Sequence, residues 1–329
     1  MRDDMKTESD NHKSKCRENE KNLQNRRVAK VTCLRHKRRS ERRYMFCTRI
    51  AAVIFTMSVI AIVIVMWGRH KDNERTLQTQ NEMSKEISEI RENETKKLYE
   101  LPVAGNERVF RDILRNVEKL SAPAEILPEY QPLYEQNPDM IGWLKIEDTV
   151  IDYPVMQTME DEDYYLDYDF NREPNNNGCL IMDTDSTVGT DTKDNEYYNG
   201  SKPSTNLIIH GHTMKSGLMF GGLKQYADET YGKNHSIICF DSLYEQREYQ
   251  LIAVFYSQVF NNTDKVFKYY NFFQADTQEE FDDWYENIKA MSLYDTGVTA
   301  EYGDEFITLS CCSYQVEDGR FVVVGKRIV

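Results

Sequence analysis

Eighteen consecutive residues, Ile50–Trp67, contain no charge, no proline and no glycine. At helical rise such a stretch is roughly 27 Å long, enough to cross the hydrocarbon core of a bilayer. Arg49 precedes it, Arg69 and Lys71 follow it, and Trp67 has the position of an interfacial aromatic. Its bulky end, Val65-Met66-Trp67, is unlike the small-residue cleavage site of a signal peptide. The stretch is read as one retained transmembrane helix, so the chain must fold as two parts in two different environments.

Charge divides the chain at the same place. The net charge of -14 is an average over a basic N-terminal part and an acidic remainder. Residues 1–49 carry 16 Lys and Arg against 7 Asp and Glu, a net of +9, which leaves -23 for the rest. Arg35, Lys37, Arg38, Arg39, Arg42, Arg43 and Arg49 crowd the N-terminal side of the apolar stretch. The positive-inside rule puts that side in the cytoplasm and the large C-terminal part outside. Beside a span, such a tail is better explained as a topology determinant touching anionic lipid than as a nucleic-acid binder. No nucleic-acid partner is expected.

The expected organisation is a basic cytoplasmic tail (1–49), the span (50–67), an extracytoplasmic stalk with an N-terminal helix (68–126) and a globular domain (127–329). Lys71–Glu100 is polar and helix-friendly, with apolar spacing too sparse for a coiled coil. Val109, Phe110, Ile113, Leu114 and Val117 line one face of a helix over Glu107–Leu120. From Leu127 short apolar runs alternate with turn residues, as in a β-rich domain. Candidate strands are Ile141–Ile146, Tyr153–Met156, Cys179–Met182, Asn206–His210, Ser236–Asp241, Arg247–Gln258, Phe306–Cys311 and Arg320–Arg327. Eight strands suit a closed barrel or sandwich. Thr277–Met291 breaks the pattern with Phe281, Trp284, Tyr285 and Ile288 at helical spacing, and Thr277 with Glu280 has the spacing of a capping box.

Chemistry narrows to three residues. The cysteines are Cys16, Cys33, Cys47, Cys179, Cys239, Cys311 and Cys312, with no CxxC pair or zinc-type spacing, so no metal or cofactor is expected. Adjacent cysteines in an extended strand point apart and do not bridge without strain, which leaves a free thiol in Cys311-Cys312. A strand cysteine is ordinarily a small hydrophobe. Histidines change the balance: Asn206–Met214 reads as a strand running into a turn that carries His210 and His212. If Cys312 ends one strand and Arg320 opens the next, a hairpin brings them together. A thiol, an imidazole and an obligate cation form an acyl-transfer site: nucleophile, acid/base and oxyanion donor.

The motifs around these residues resemble those of sortases. Thr308-Leu309-Ser310-Cys311-Cys312 is similar to the family's TLxTC strand, with a cysteine in place of the second threonine. Phe321–Lys326 resembles the strand after the family's catalytic arginine, and His210–Tyr226 resembles the histidine region of class B members. Asn137–Trp143, Tyr153–Gln157 and Tyr164–Leu166 also resemble class B. The likeness covers about Leu127–Val329. It implies a mostly β fold: an eight-stranded barrel with added helices, here preceded by the transmembrane helix and the stalk.

The resemblance also implies a membrane-anchored cysteine transpeptidase at the surface of a Gram-positive type of cell. Such an enzyme cuts a C-terminal sorting signal after Thr and joins the acyl group to a peptidoglycan amine. By position, Cys312 is the nucleophile, His212 the acid/base and Arg320 the oxyanion or substrate residue. Ser310 and Cys311 fall where the family contacts substrate, and His210, outside the family pattern, is assigned to structure. The expected partners are secreted proteins with a sorting signal, a cell-wall amine and membrane lipid. Rival readings are a pilin-polymerising sortase, a hydrolytic cysteine protease and a non-catalytic type II receptor. The pilin type is disfavoured by a chain that stops at Val329 with no second span. Glu160–Asp169 reads as a solvated acidic loop rather than a calcium site, and Asp183–Gly200 as a mobile surface loop.

Overall fold

The structure, a computed structural model, describes residues 4–100, 125–189, 202–261, 263–313 and 315–329. The helix expected over Glu107–Leu120 and most of the loop expected over Asp183–Gly200 lie outside the described residues. Contacts divide the chain into two units, Met1–Gly68 and Arg69–Val329. Helix α1 (Asp4–Glu100) begins in the first unit, where it contains the apolar stretch, long and apolar enough to cross a membrane and with none of its apolar window buried, and its residues from Arg69 belong to the second. Val53, Ile54, Phe55, Ile62 and Ile64 are all exposed, as suits a lipid-facing helix rather than a protein core.

The second unit is built on a barrel. Among the described residues, β1 (Met140–Lys145), β2 (Asp152–Met156), β3 (Leu180–Met182), β4 (Asn206–Gly211), β5 (Ile237–Ser242), β6 (Glu248–Gln258), β7 (Phe306–Ser313) and β8 (Gly319–Arg327) close in the order β1-β2-β3-β4-β7-β8-β6-β5. Each corresponds to one of the eight expected strands. The main difference is at β7, which continues through Cys312 to Ser313 because Cys312 and Ser313 pair with Arg320 and Gly319 of β8. Cys312 therefore sits within a paired strand and not at its end.

Strand alternation sorts the core. Leu207 and Ile209 of β4, Ile307, Leu309 and Cys311 of β7, and Phe321 and Val323 of β8 fill the interior with Leu144, Phe240 and Leu251. Phe306, Val322 and Val324 lie on the other face of the same strands. There they pack against Phe281, Trp284 and Ile288 of the helix Gln278–Met291. That helix opens with a complete capping box: Thr277 accepts from the Glu280 amide and Glu280 accepts from the Thr277 amide.

The outer face of β1–β3 is covered differently. Helix α2 (Gln131–Gln136) supplies Leu133, helix α3 (Tyr164–Asp167) supplies Tyr165, and α1 supplies Met83 and Ile87. Residues 72–91 of the segment expected as a stalk thus lie on the barrel. Arg75 pairs with Asp169, Ser84 donates to Asp152, and Arg91 binds Glu129, Tyr130 and Asp241. The acidic stretch is not solvated throughout. Asp169 is buried, and its carboxylate accepts from the Asn171 and Glu173 amides, closing the turn after α3.

Candidate active site

β4 and β7 are parallel neighbours, with His210 opposite Ser310 and Gly211 opposite Cys311. The residues that follow, His212 just past the end of β4 and Cys312 within β7, stand at the same height. Gly211 is required there: a Cβ would lie 2.5 Å from Leu180 Cδ2 and 2.7 Å from Phe220 Cδ2. On the other side of β7, β8 sets Arg320 opposite Cys312. The hairpin that returns the chain contains Asp318 in a left-handed conformation, φ 51°. His212, a hundred positions before Cys312, and Arg320, eight after it, thus flank Cys312 in a row across β4, β7 and β8.

The row lines a cleft of about 420 Å³ that also includes Leu166, Asp183 and His210. His212 Nε2 is 2.9 Å from the Leu166 carbonyl oxygen. A carbonyl only accepts, so in the neutral ring Nε2 carries the proton and Nδ1 holds the lone pair. Thr213 Oγ1 donates to the Cys312 carbonyl at 2.7 Å, tying the strand that carries the histidine to the strand that carries the thiol. Arg320 Nη1 donates to the carbonyls of Asp318 and Gly319, and among the described residues Arg320 makes no ion pair. A cysteine set between a histidine and an arginine on neighbouring strands is suited to nucleophilic attack on a carbonyl.

The two adjacent cysteines have different surroundings. Cys311 is 2% exposed, belongs to the barrel interior, and burial pushes its thiol up to about 11. Cys312 is half-buried beside the cleft. Cys47, Cys179 and Cys239 are also free thiols, and burial raises those of Cys179 and Cys239. Ser310 is 1% exposed, and its Oγ is 2.7 Å from the Tyr269 hydroxyl. Among the described residues no group of three or more His, Cys, Asp or Glu side chains could hold a metal ion.

Several cleft residues are not singled out by sequence reasoning. Tyr269 and Tyr270 reach it from the short 3-10 turn Tyr269–Asn271, and Val259 from the end of β6. None lies in a regular apolar pattern that marks a site. Asp183 and His210 line it too, although the sequence assigns His210 to structure.

No protein-family model matches the chain. It is 33% identical over 206 residues to the sortase B of Listeria monocytogenes, covering 62% of this chain and 76% of that protein. The structure of a Staphylococcus aureus sortase B–substrate complex matches with a TM-score of 0.52 at 25% identity, covering 68% of this chain and 94% of that one. A sortase B complexed with triglycine matches with a TM-score of 0.52 at 25% identity, over 68% of this chain and 97% of the other.

Proposed function

The chain belongs to the sortase B family of cysteine transpeptidases, and on that premise we propose that Cys312, His212 and Arg320 carry its acyl transfer. The observation that supports this is the register that sets Cys312 of β7 between the residue after β4 and Arg320 of β8, with all three lining one cleft. Cys312 Sγ attacks the carbonyl carbon of the scissile peptide bond as its proton passes to His212 Nδ1. The C–S bond forms and the carbonyl oxygen becomes an oxyanion, to which Arg320 donates. The C–N bond then breaks, His212 gives its proton to the leaving amine, and a thioester remains on Cys312. An incoming amine repeats the sequence in reverse. It loses a proton to His212, forms the new amide, and releases Cys312 as a thiol.

The substrate in this reading is a secreted protein with a C-terminal sorting signal cut after Thr, and the acceptor is a cell-wall amine. The relatives solved with a substrate and with triglycine support both classes. Arg320 and His212 line one cleft with Cys312, so oxyanion, leaving amine and nucleophile are served from a single face. We place residues 1–49 in the cytoplasm and the catalytic unit outside, on the charge difference across the apolar stretch. Incubating the protein with a sorting-signal peptide tests the chemistry. Intact mass should gain one acyl group, lost on addition of triglycine with formation of the joined peptide. Adduct formation by Cys312→Ala would overturn the assignment.

A further inference from the structure

His210 is in the cleft, yet the acyl-transfer steps do not use it. It lies on the outer face of β4, opposite Ser310 of β7 and Ile181 of β3, two residues before His212. Its side chain is 29% exposed, and Nε2 is 3.3 Å from Asp183 Oδ2. Asp183 is itself fixed. Its amide donates to the Ile208 carbonyl, and its Oδ1 accepts from the Asp185 amide at 3.0 Å. A carboxylate accepts only, so in the neutral ring Nε2 carries the proton and Nδ1 is left as a lone-pair acceptor. Among the described residues nothing donates to Nδ1.

We infer that His210, held in this tautomer by Asp183, is a specificity residue that accepts a hydrogen bond from a protonated amine bound in the cleft. The inference rests on the reading of the cleft as the acyl-transfer site. The choice of an amine over a neutral donor follows from the other groups near it. Asp183, Glu162 and Asp163 line the same cleft and offer carboxylates, while Arg320 is its only lysine or arginine among the described lining residues. An ammonium satisfies acceptors on several sides at once, and hydrogen bonds involving a charged group are the stronger kind. Asp183 is a positioning residue, acting through His210. The amine has two possible sources, a side chain of the sorting signal or the acceptor nucleophile.

Kinetics with two arms separate the sources. In the first, peptides carry lysine or norleucine at successive positions, and kcat/KM for thioester formation is measured. In the second, the peptide is fixed and KM for triglycine is measured. Lysine should exceed norleucine about tenfold at one position, or the KM for triglycine should rise about tenfold in Asp183→Asn. In that variant the amide donates to Nε2, moves the ring proton to Nδ1 and turns the acceptor into a donor. The 15N shifts of His210 should report the exchange of tautomers. His210→Gln, which keeps an acceptor oxygen, should retain part of the preference, and His210→Phe should lose it. Equal use of lysine and norleucine together with an unchanged triglycine KM in Asp183→Asn would overturn the inference. So would a preference that persists in His210→Phe. Thioester formation by the unsubstituted enzyme on the norleucine peptide reports separately on the acyl-transfer reading.

Discussion

Cys311 and Cys312 share a peptide bond but belong to different chemical regions. The inward side of β7 holds Ile307, Leu309 and Cys311, in contact with Phe321 and Val323. The other side holds Thr308, Ser310 and Cys312, where Thr308 bonds Asn206, Ser310 bonds Tyr269 and Cys312 meets the cleft. On the inner side burial pushes the thiol up to about 11 and holds it protonated. On the outer side the cation of Arg320 stands opposite the sulfur's own residue. The two-residue period of a strand, rather than position along the chain, decides which thiol is buried in the interior and which is half-exposed.

The strongest way to break this contrast is to remove the outer thiol. Cys312→Ala should lower peptide cleavage by at least about a thousandfold and abolish the acyl adduct in intact mass, because the neighbouring thiol of Cys311 is buried and held protonated. Arg320→Ala should lower kcat by about a hundredfold to a thousandfold in steady-state assays. Arg320→Lys should recover only part of this, since an ammonium lacks the planar fork. The inner thiol should behave in the opposite way. Cys311→Thr should keep peptide cleavage while losing about 1–3 kcal/mol of stability in urea unfolding, because a hydroxyl enters an apolar interior.

Titration sharpens the same comparison. The folded-state value of Cys311 is raised from 9.0 to about 11, so folding favours the protonated thiol. Its contribution to stability is complete below about pH 9 and is lost as pH rises through about 11. Urea unfolding of wild type and Cys311→Ala across that range should show a difference in stability that changes only there. The smallest expected effect is a control away from β7. Thr277→Ala removes the capping box and should cost about 1 kcal/mol in thermal unfolding, with kcat unchanged.

Much of the barrel is legible in the sequence because its strands are short apolar runs bounded by turn residues, as in β4, where Leu207, Ile208 and Ile209 are all buried. Arg320 opposite Cys312 follows from hairpin logic, and the helix after Thr277 from its capping spacing and apolar stripe. What is not legible depends on contacts between distant residues. Met83 and Ile87 are too sparse to announce that residues 72–91 lie on the barrel, and the ion pairs of Arg91 join them to residues 38 and 150 positions away. Tyr269 over Ser310 and Asp183 beside His210 likewise span 41 and 27 positions. No local pattern marks such partners, so the cover over Ser310 and the orientation of His210 emerge only in three dimensions.

The parallel pairing of β4 with β7 has a consequence for how such an enzyme diversifies. His212 and Cys312 are held by ladder bonds between neighbouring strands and by the Thr213 hydroxyl on the Cys312 carbonyl. The excursion between Gln258 and Phe306 does not set their spacing, yet it brings Tyr269 and Tyr270 to the cleft. A change near Tyr269 and Tyr270 therefore alters the wall of the cleft without altering the strand register that sets residue 212 beside residue 312.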